Sequence, residues 1–179
     1  MNLTFKGFLR AYCRELTGLQ TDSLKKLINA SALNSPSVAE AVMVFASVQG
    51  KTDYAVRLAH GTWMEEGYKA IATQLEQCED IEKFLCSDFA PERYRKVFLA
   101  YKTQKSAIDA DRRVIALMRE KILDALNKSS TSIYSVCKQL GLNKGNIYAY
   151  LNSADVSKVS RNTARRILQF AESLSANSN

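Results

Sequence analysis

Residues 135–152 read SVCKQLGLNKGNIYAYLN, and the order of residue types specifies a short helix, a tight turn and a second helix. Val136, Cys137 and Leu140 recur at three- and four-residue intervals, which stacks them along one side of the first helix. Gly141 follows where the chain must turn, and glycine reaches the left-handed backbone region without steric penalty just past a helix end. Leu142 fills the turn, and Asn143 is a capping residue for a helix that begins at Lys144. Ile147, Tyr150 and Leu151 return at helical spacing and hold the second helix against the first. Lys144, Gly145, Tyr148, Ala149 and Asn152 are left pointing outward.

That outward face combines a cation at the helix start, two small residues that permit close approach, and amide and phenol groups able to hydrogen-bond to base edges. A solvated helix without such a task would more often carry several glutamates or lysines. At these residues the chain resembles the helix-turn-helix DNA-binding domains of the phage-repressor (Cro-like, Xre) class and the headpiece of lac-repressor-type regulators. The shared elements are the small residue at Cys137, the turn Gly141-Leu142-Asn143, and the apolar positions Ile147 and Tyr150. Cys137 stands where alanine is usual, and Tyr150 is larger than the aliphatic residue usual at its place. The resemblance implies that the helix spanning 144–151 enters the major groove of double-stranded DNA. Lys144, Gly145, Tyr148 and Asn152 are then the expected base contacts. Ser132, Lys138, Asn143, Asn146, Lys158, Arg161 and Arg165 are the expected phosphate contacts.

Charge points the same way independently. From Lys128 to Arg166 there are seven basic residues, Lys128, Lys138, Lys144, Lys158, Arg161, Arg165 and Arg166, against the single acid Asp155. Residues 1–107 hold fourteen of the 25 Lys and Arg and twelve of the 18 Asp and Glu, so the formal net charge of +7 divides into +2 there and +5 in the remainder. Positive charge gathered on the segment that carries the turn is what neutralising a phosphate backbone requires.

Outward from this core, Asp109 to Lys128 is an amphipathic helix with Val114, Ile115, Met118, Ile122, Leu123 and Leu126 at helical spacing. Ser129, Ser130, Thr131 and Ser132 break the pattern and supply caps for the next helix. The stretch Asn152 to Val159 reads as a loop of turn formers. A further helix begins near Ser160 and runs through Ala164, Ile167, Leu168 and Phe170 to about Leu174, with Arg161 and Arg165 four apart on one face. The small polar tail from Ser173 to Asn179 is expected to fray.

Towards the N-terminus, candidate helices run from Phe5 to Thr17, Ser23 to Ala30, Ser37 to Val48, Thr52 to His60, Met64 to Gln77, Ile81 to Asp88 and Pro91 to Lys102. Few stretches alternate as strands do, so the expected class is all-α: an N-terminal helical bundle followed by a helix-turn-helix bundle. The sequence KTQKSAI after Tyr101 loses its apolar periodicity without glycine or proline, as either a hinge or the exposed waist of one long helix. A boundary near Lys105 gives a helical domain at 1–105 and a DNA-binding domain at 106–179. Trp63, Tyr94, Phe98 and Tyr101 are expected in the core or at a dimer contact.

Enzymatic chemistry finds no constellation. His60 is the only histidine, which excludes His-based triads and multi-histidine metal sites by count, and its expected role is a favourable interaction with a helix end. Cys13, Cys78, Cys86 and Cys137 lack metal-ligand spacing, and four free thiols fit a reducing cytoplasm. The acids Glu65-Glu66 and those from Glu76 to Glu82 lie beside Lys69 and Lys83, as on solvated helix faces. No catalytic residue, metal ligand or cofactor is expected, and no membrane association, since the apolar segment Ser37 to Val48 is too short to span a bilayer. The reading is a cytoplasmic, homodimeric transcriptional regulator, a repressor, whose N-terminal part provides dimerisation or holds a small effector or a partner protein. Its rivals are an antitoxin-type autorepressor and a helical adaptor that does not bind DNA.

Overall fold

The apolar repeats of three and four residues become ten α-helices and one 3-10 turn, with no strand among the described residues, which are 3–176 of the computed structural model. The fold is all-α. The helices are α1 (Phe5–Thr17), α2 (Leu24–Ala32), α3 (Pro36–Val48), α4 (Thr52–Ala59), α5 (Glu65–Leu75), α6 (Ile81–Cys86), α7 (Glu92–Lys128), α8 (Ile133–Leu140), α9 (Lys144–Ser153) and α10 (Arg161–Ala176). Among the described residues no helix is long and apolar enough to cross a membrane.

The chain divides into two compact units, one built by residues up to Lys105 and one from Ser106 onward. In the first, α3 is the central element and packs against α1, α2, α4 and α5. Its sequence is apolar on more than one face because nearly every side chain from Val38 to Ser47 is buried. Ser47 tolerates that burial by donating its hydroxyl to the Met43 carbonyl at 2.9 Å. Tyr68 does the same from α5, donating at 2.8 Å to the Ala39 carbonyl. Phe5, Phe8, Phe98 and Tyr101 join α1 to the first part of α7 as an aromatic cluster with ring centroids 5.0 to 5.8 Å apart. Tyr94, Phe98 and Tyr101 are therefore core residues.

Trp63 is not a core residue, and of the two places expected for it only a contact surface remains. It is 52% exposed, and its indole N–H donates at 3.0 Å to the Ala32 carbonyl, so it lies at the surface of its own unit. His60 lies at a helix end, as expected, as the C-cap of α4, and its side chain has a partner besides. Its Nδ1 lies 2.9 Å from Glu65 Oε1, and Lys69 reaches the same carboxylate at 2.7 Å.

The stretch after Tyr101 is helix. Residues 102–107 are exposed on every side, so there was no buried face to imprint an apolar period on them. Lys102 over the Phe98 ring and Lys105 over the Tyr101 ring, at 5.7 and 5.6 Å, cover the preceding turn. The second unit is held by Ile115, Ile122 and Leu126 of α7, Val136 and Cys137 of α8, Ile147, Tyr150 and Leu151 of α9, and Ala164, Ile167 and Ala171 of α10, all buried. Each large aliphatic side chain so removed from water contributes about 1.5–3 kcal/mol. Helix α10 continues past the expected end at Leu174 to Ala176, and the rest of the tail expected to fray, 177–179, lies outside the described residues.

Candidate nucleic-acid interface

The turn between α8 and α9 follows from three residues. Gly141 adopts φ 64°, and its N–H closes on the Cys137 carbonyl. Leu142 is half-buried beneath it, and its N–H donates to the same carbonyl at 2.9 Å. Asn143 takes extended backbone, and its Oδ1 accepts from the Asn146 N–H at 3.1 Å, which caps α9. Ser132 starts α8 in the same way, accepting from the Ser135 N–H at 3.2 Å. The oxygens of Asn143 and Ser132 are thus committed to caps, which leaves the Asn143 amide nitrogen and the Ser132 hydroxyl proton to meet an anion.

Helix α9 presents two faces. Ile147, Tyr150 and Leu151 are buried to 2% exposure or less, whereas Lys144, Gly145, Asn146, Tyr148 and Asn152 are exposed. At roughly 100° per residue, Gly145 and Asn152 mark the centre of the outward stripe, and Tyr148 and Ala149 flank it by about 50° on either side. Lys144 and Asn146 stand at its two edges, roughly 90–110° from the centre. The Lys144 ammonium lies 4.1 Å from the centroid of the Tyr134 ring on α8. Tyr134 is half-exposed, so this cation–π pair sits at the surface where the two helices meet.

The helix is longer than the sequence indicated. Asn152 and Ser153 belong to its last turn rather than to the following loop, because Ala154 takes the left-handed conformation at φ 55° that a glycine would ordinarily supply. The closing carbonyls receive donors from α7. Arg119 Nε donates to the carbonyls of Tyr150 and Leu151 at 3.0 and 2.9 Å, and its Nη2 donates to Leu151 at 2.6 Å. The Tyr150 hydroxyl donates back to the Ile115 carbonyl of α7 at 2.8 Å. Burial pushes the Tyr150 phenol up to about 12 against the opposing pull of Arg119, so it remains a hydrogen-bond donor at neutral pH. These bonds join the inner face of α9 to α7 and leave its outer face unencumbered.

The expected phosphate ligands fall into two groups. Lys138 on α8 and Arg165 on α10 are exposed and form no ion pair among the described residues. Lys158 ends the 3-10 turn Val156–Lys158 and lies 4.0 Å from Asp155. Asp155 itself is held below the usual carboxylate range, first by the Ser157 hydroxyl and then by the Ser157 N–H. Arg161 is engaged more directly, 3.5 Å from Asp111 of α7, and would meet a phosphate only by sharing its guanidinium. Arg166 was left unassigned by the sequence reading, and its Nη2 donates to the Leu140 carbonyl at 3.4 Å, which ties α10 to the end of α8.

Arg119 and Tyr134 were missed by sequence reasoning. Arg119 carried a signal, since it lies on the apolar stripe of Ile115, Ile122 and Leu126, where a cation needs a buried partner. Tyr134 carried none beyond being aromatic in the first turn of α8. No family model, curated protein or solved structure matches the chain. Functional assignment therefore rests on this geometry and its chemistry.

Proposed function

We propose that the unit from Ser106 onward binds double-stranded DNA in a sequence-specific manner, with α9 in the major groove, and that the protein is a transcriptional regulator acting as a repressor. The observation that carries this reading is the division of labour on α9. Arg119 and Tyr150 attach it to α7 from its inner side, while Gly145, Tyr148 and Asn152 are exposed and close together on the outer side. Rigid support of a helix whose exposed face is small and hydrogen-bonding, instead of charged, fits groove reading.

In this reading Gly145 lets the helix approach the base edges, and Tyr148 and Asn152 make the hydrogen bonds. Lys144, held over Tyr134, stands where the helix edge meets the sugar-phosphate backbone, with access to a base at the groove wall. Lys138, Lys158 and Arg165 neutralise phosphates on either side, and Arg161 joins them by sharing Asp111. A two-fold repeated operator would be met by a homodimer. Leu33 and Phe89 in the first unit, 90% and 85% exposed, favour a second version of the same function, in which that unit holds a protein partner as an autorepressing antitoxin does.

The experiment is fluorescence anisotropy with a labelled mixed-sequence duplex at two salt concentrations. Binding that weakens steeply with salt, and less steeply in Lys158→Ala and Arg165→Ala, supports the assignment. A protein that ignores duplex DNA even at low salt is an adaptor and not a regulator of this kind.

A further inference from the structure

The first unit contains a cavity of about 160 Å³ between α3, α5 and the start of α7. A cavity of roughly 150 Å³ accommodates a benzene-sized body, so this half-open space suits one ring or a short aliphatic group, with the rest of a ligand at its mouth. Trp63, Met64, Tyr68 and Tyr94 are among the residues that line it. The polar atoms of these aromatic residues are already spent. Trp63 Nε1 donates to Ala32, the Tyr68 hydroxyl to Ala39 at 2.8 Å and the Tyr94 hydroxyl to Gly67 at 3.1 Å. Tyr68 and Tyr94 are thereby fixed as the buried floor, and Trp63 is the aromatic ring left exposed beside the space.

Two further lining groups are not spent. Glu40 is half-buried and forms no ion pair or side-chain hydrogen bond among the described residues. Desolvation raises its affinity for a proton, while Arg93 and Lys96 oppose that rise from a distance. Lys96 is engaged elsewhere, 3.7 Å from Glu92. Arg93 lies at the mouth of the cavity with its guanidinium carbon 5.1 Å from the centroid of the Tyr94 ring, and it also has no ion pair among the described residues. Gly67 lies beside its guanidinium. A Cβ there would stand 3.3 Å from Arg93 Nη2, tighter than ordinary contact.

We propose that this cavity is a binding site for a small zwitterion of the α-amino-acid class, with its ammonium on Glu40, its carboxylate on Arg93 and its apolar side chain against Trp63. A monoanion would add negative charge beside the half-buried Glu40 and a monocation would add positive charge beside Arg93, so a ligand with both charges suits the pair best. The size of the space selects aliphatic, thioether or single-ring side chains. The site does not depend on the DNA-binding reading, and each can fail without the other.

Trp63 is the only tryptophan of the chain and stands at the rim, so its fluorescence reports occupancy directly. Full-length protein is titrated with the aliphatic and thioether α-amino acids and phenylalanine, and then with the amide and the N-acetyl derivative of whichever binds tightest. The expected result is a saturable change in Trp63 emission with at least one amino acid, and at least about tenfold weaker binding of both derivatives, each of which lacks one charge. Glu40→Gln and Arg93→Gln are expected to weaken binding by a similar factor while leaving the melting temperature of the free protein within a few degrees. The proposal is overturned if no amino acid gives a saturable change up to roughly 10 mM, or if the derivatives bind as well as the parent. The derivatives test the charge requirement in the unaltered protein, whatever the variants do to folding.

Discussion

Arg119 on α7 donates two hydrogen bonds to the carbonyl of Leu151 on α9, at 2.9 and 2.6 Å. The last four carbonyls of any α-helix lack partners within it, and Arg119 serves two of those of α9, Tyr150 and Leu151, with a positive charge at the negative end of the helix dipole. The side chain is only 17% exposed, so these bonds are shielded from competing water. The proposed reading helix owes its fixed orientation to this contact and to the Tyr150–Ile115 bond.

Replacing Arg119 by methionine keeps the apolar stem and removes the donors. Hydrogen bonds from a charged group contribute about 1.5–3 kcal/mol. Thermal unfolding of Arg119→Met should reveal a loss in that range, and Arg119→Lys should recover only part of it, since one ammonium cannot reproduce the guanidinium fork. An Arg119→Met protein that melts with the parent would show that α9 is held by its apolar face alone.

Tyr150→Phe deletes the hydroxyl and leaves the ring in place. The Ile115 carbonyl keeps its place within α7, so the expected cost is about 1 kcal/mol, or roughly 4–8 °C in the melting temperature of a unit this size. Calorimetry of the two proteins side by side measures it.

The two helix ends at Gly141 and Ala154 predict opposite signs. Both residues have positive φ, 64° and 55°. A Cβ at Gly141 would meet no atom within 4 Å, so Gly141→Ala should lose about 1–2 kcal/mol through backbone strain alone. Ala154→Gly relieves the same strain and should gain up to about 1 kcal/mol, less the extra entropy of an unfolded glycine. Urea unfolding of both variants tests the pair, and destabilisation by Ala154→Gly would count against the strain argument.

Glu65 gives the first unit a pH dependence. Its carboxyl is held down at about 2, from an ordinary 4.5, foremost by Lys69 and then by the Gly61 N–H and His60. A carboxyl with a lowered folded-state value stabilises the fold above about 4.5, and that contribution disappears as pH falls from there through about 2. Melting temperature followed between pH 6 and pH 2 should fall more steeply for the parent than for Glu65→Gln.

Much of this was legible from periodicity. The bounds of α1 and the starts of α4 and α6 follow from the apolar repeats that open at Phe5, Thr52 and Ile81, and the turn at Gly141 to Asn143 from residue types that do little else. Other features depend on distant partners and leave no local mark. The continuity of α7 was hidden because residues 102–107 face solvent on every side, which erases the period that identifies a helix. The extension of α9 to Ser153 rests on an alanine in a glycine conformation and an arginine more than thirty residues earlier in the chain. Trp63 was expected in the core or at a dimer contact, and its indole N–H, which needs a partner, found one at the surface.

The outer face of α9 separates base reading from charge. Lys144→Ala combined with Tyr148→Ala should weaken binding to a preferred duplex more than to a random one, whereas Lys158→Ala should weaken both and flatten the dependence on salt. Equal losses on both duplexes in the double variant would remove Lys144 and Tyr148 from base reading.

The central claim, that α9 reads sequence in duplex DNA, is tested most directly by selecting bound duplexes from a random pool with the full-length protein at two salt concentrations. The account predicts one enriched sequence with two-fold symmetry, retained at the higher salt and lost from the Tyr148→Ala, Asn152→Ala variant. Binding that fades with salt and enriches no sequence would contradict it, because phosphate contacts alone would then explain all of the affinity.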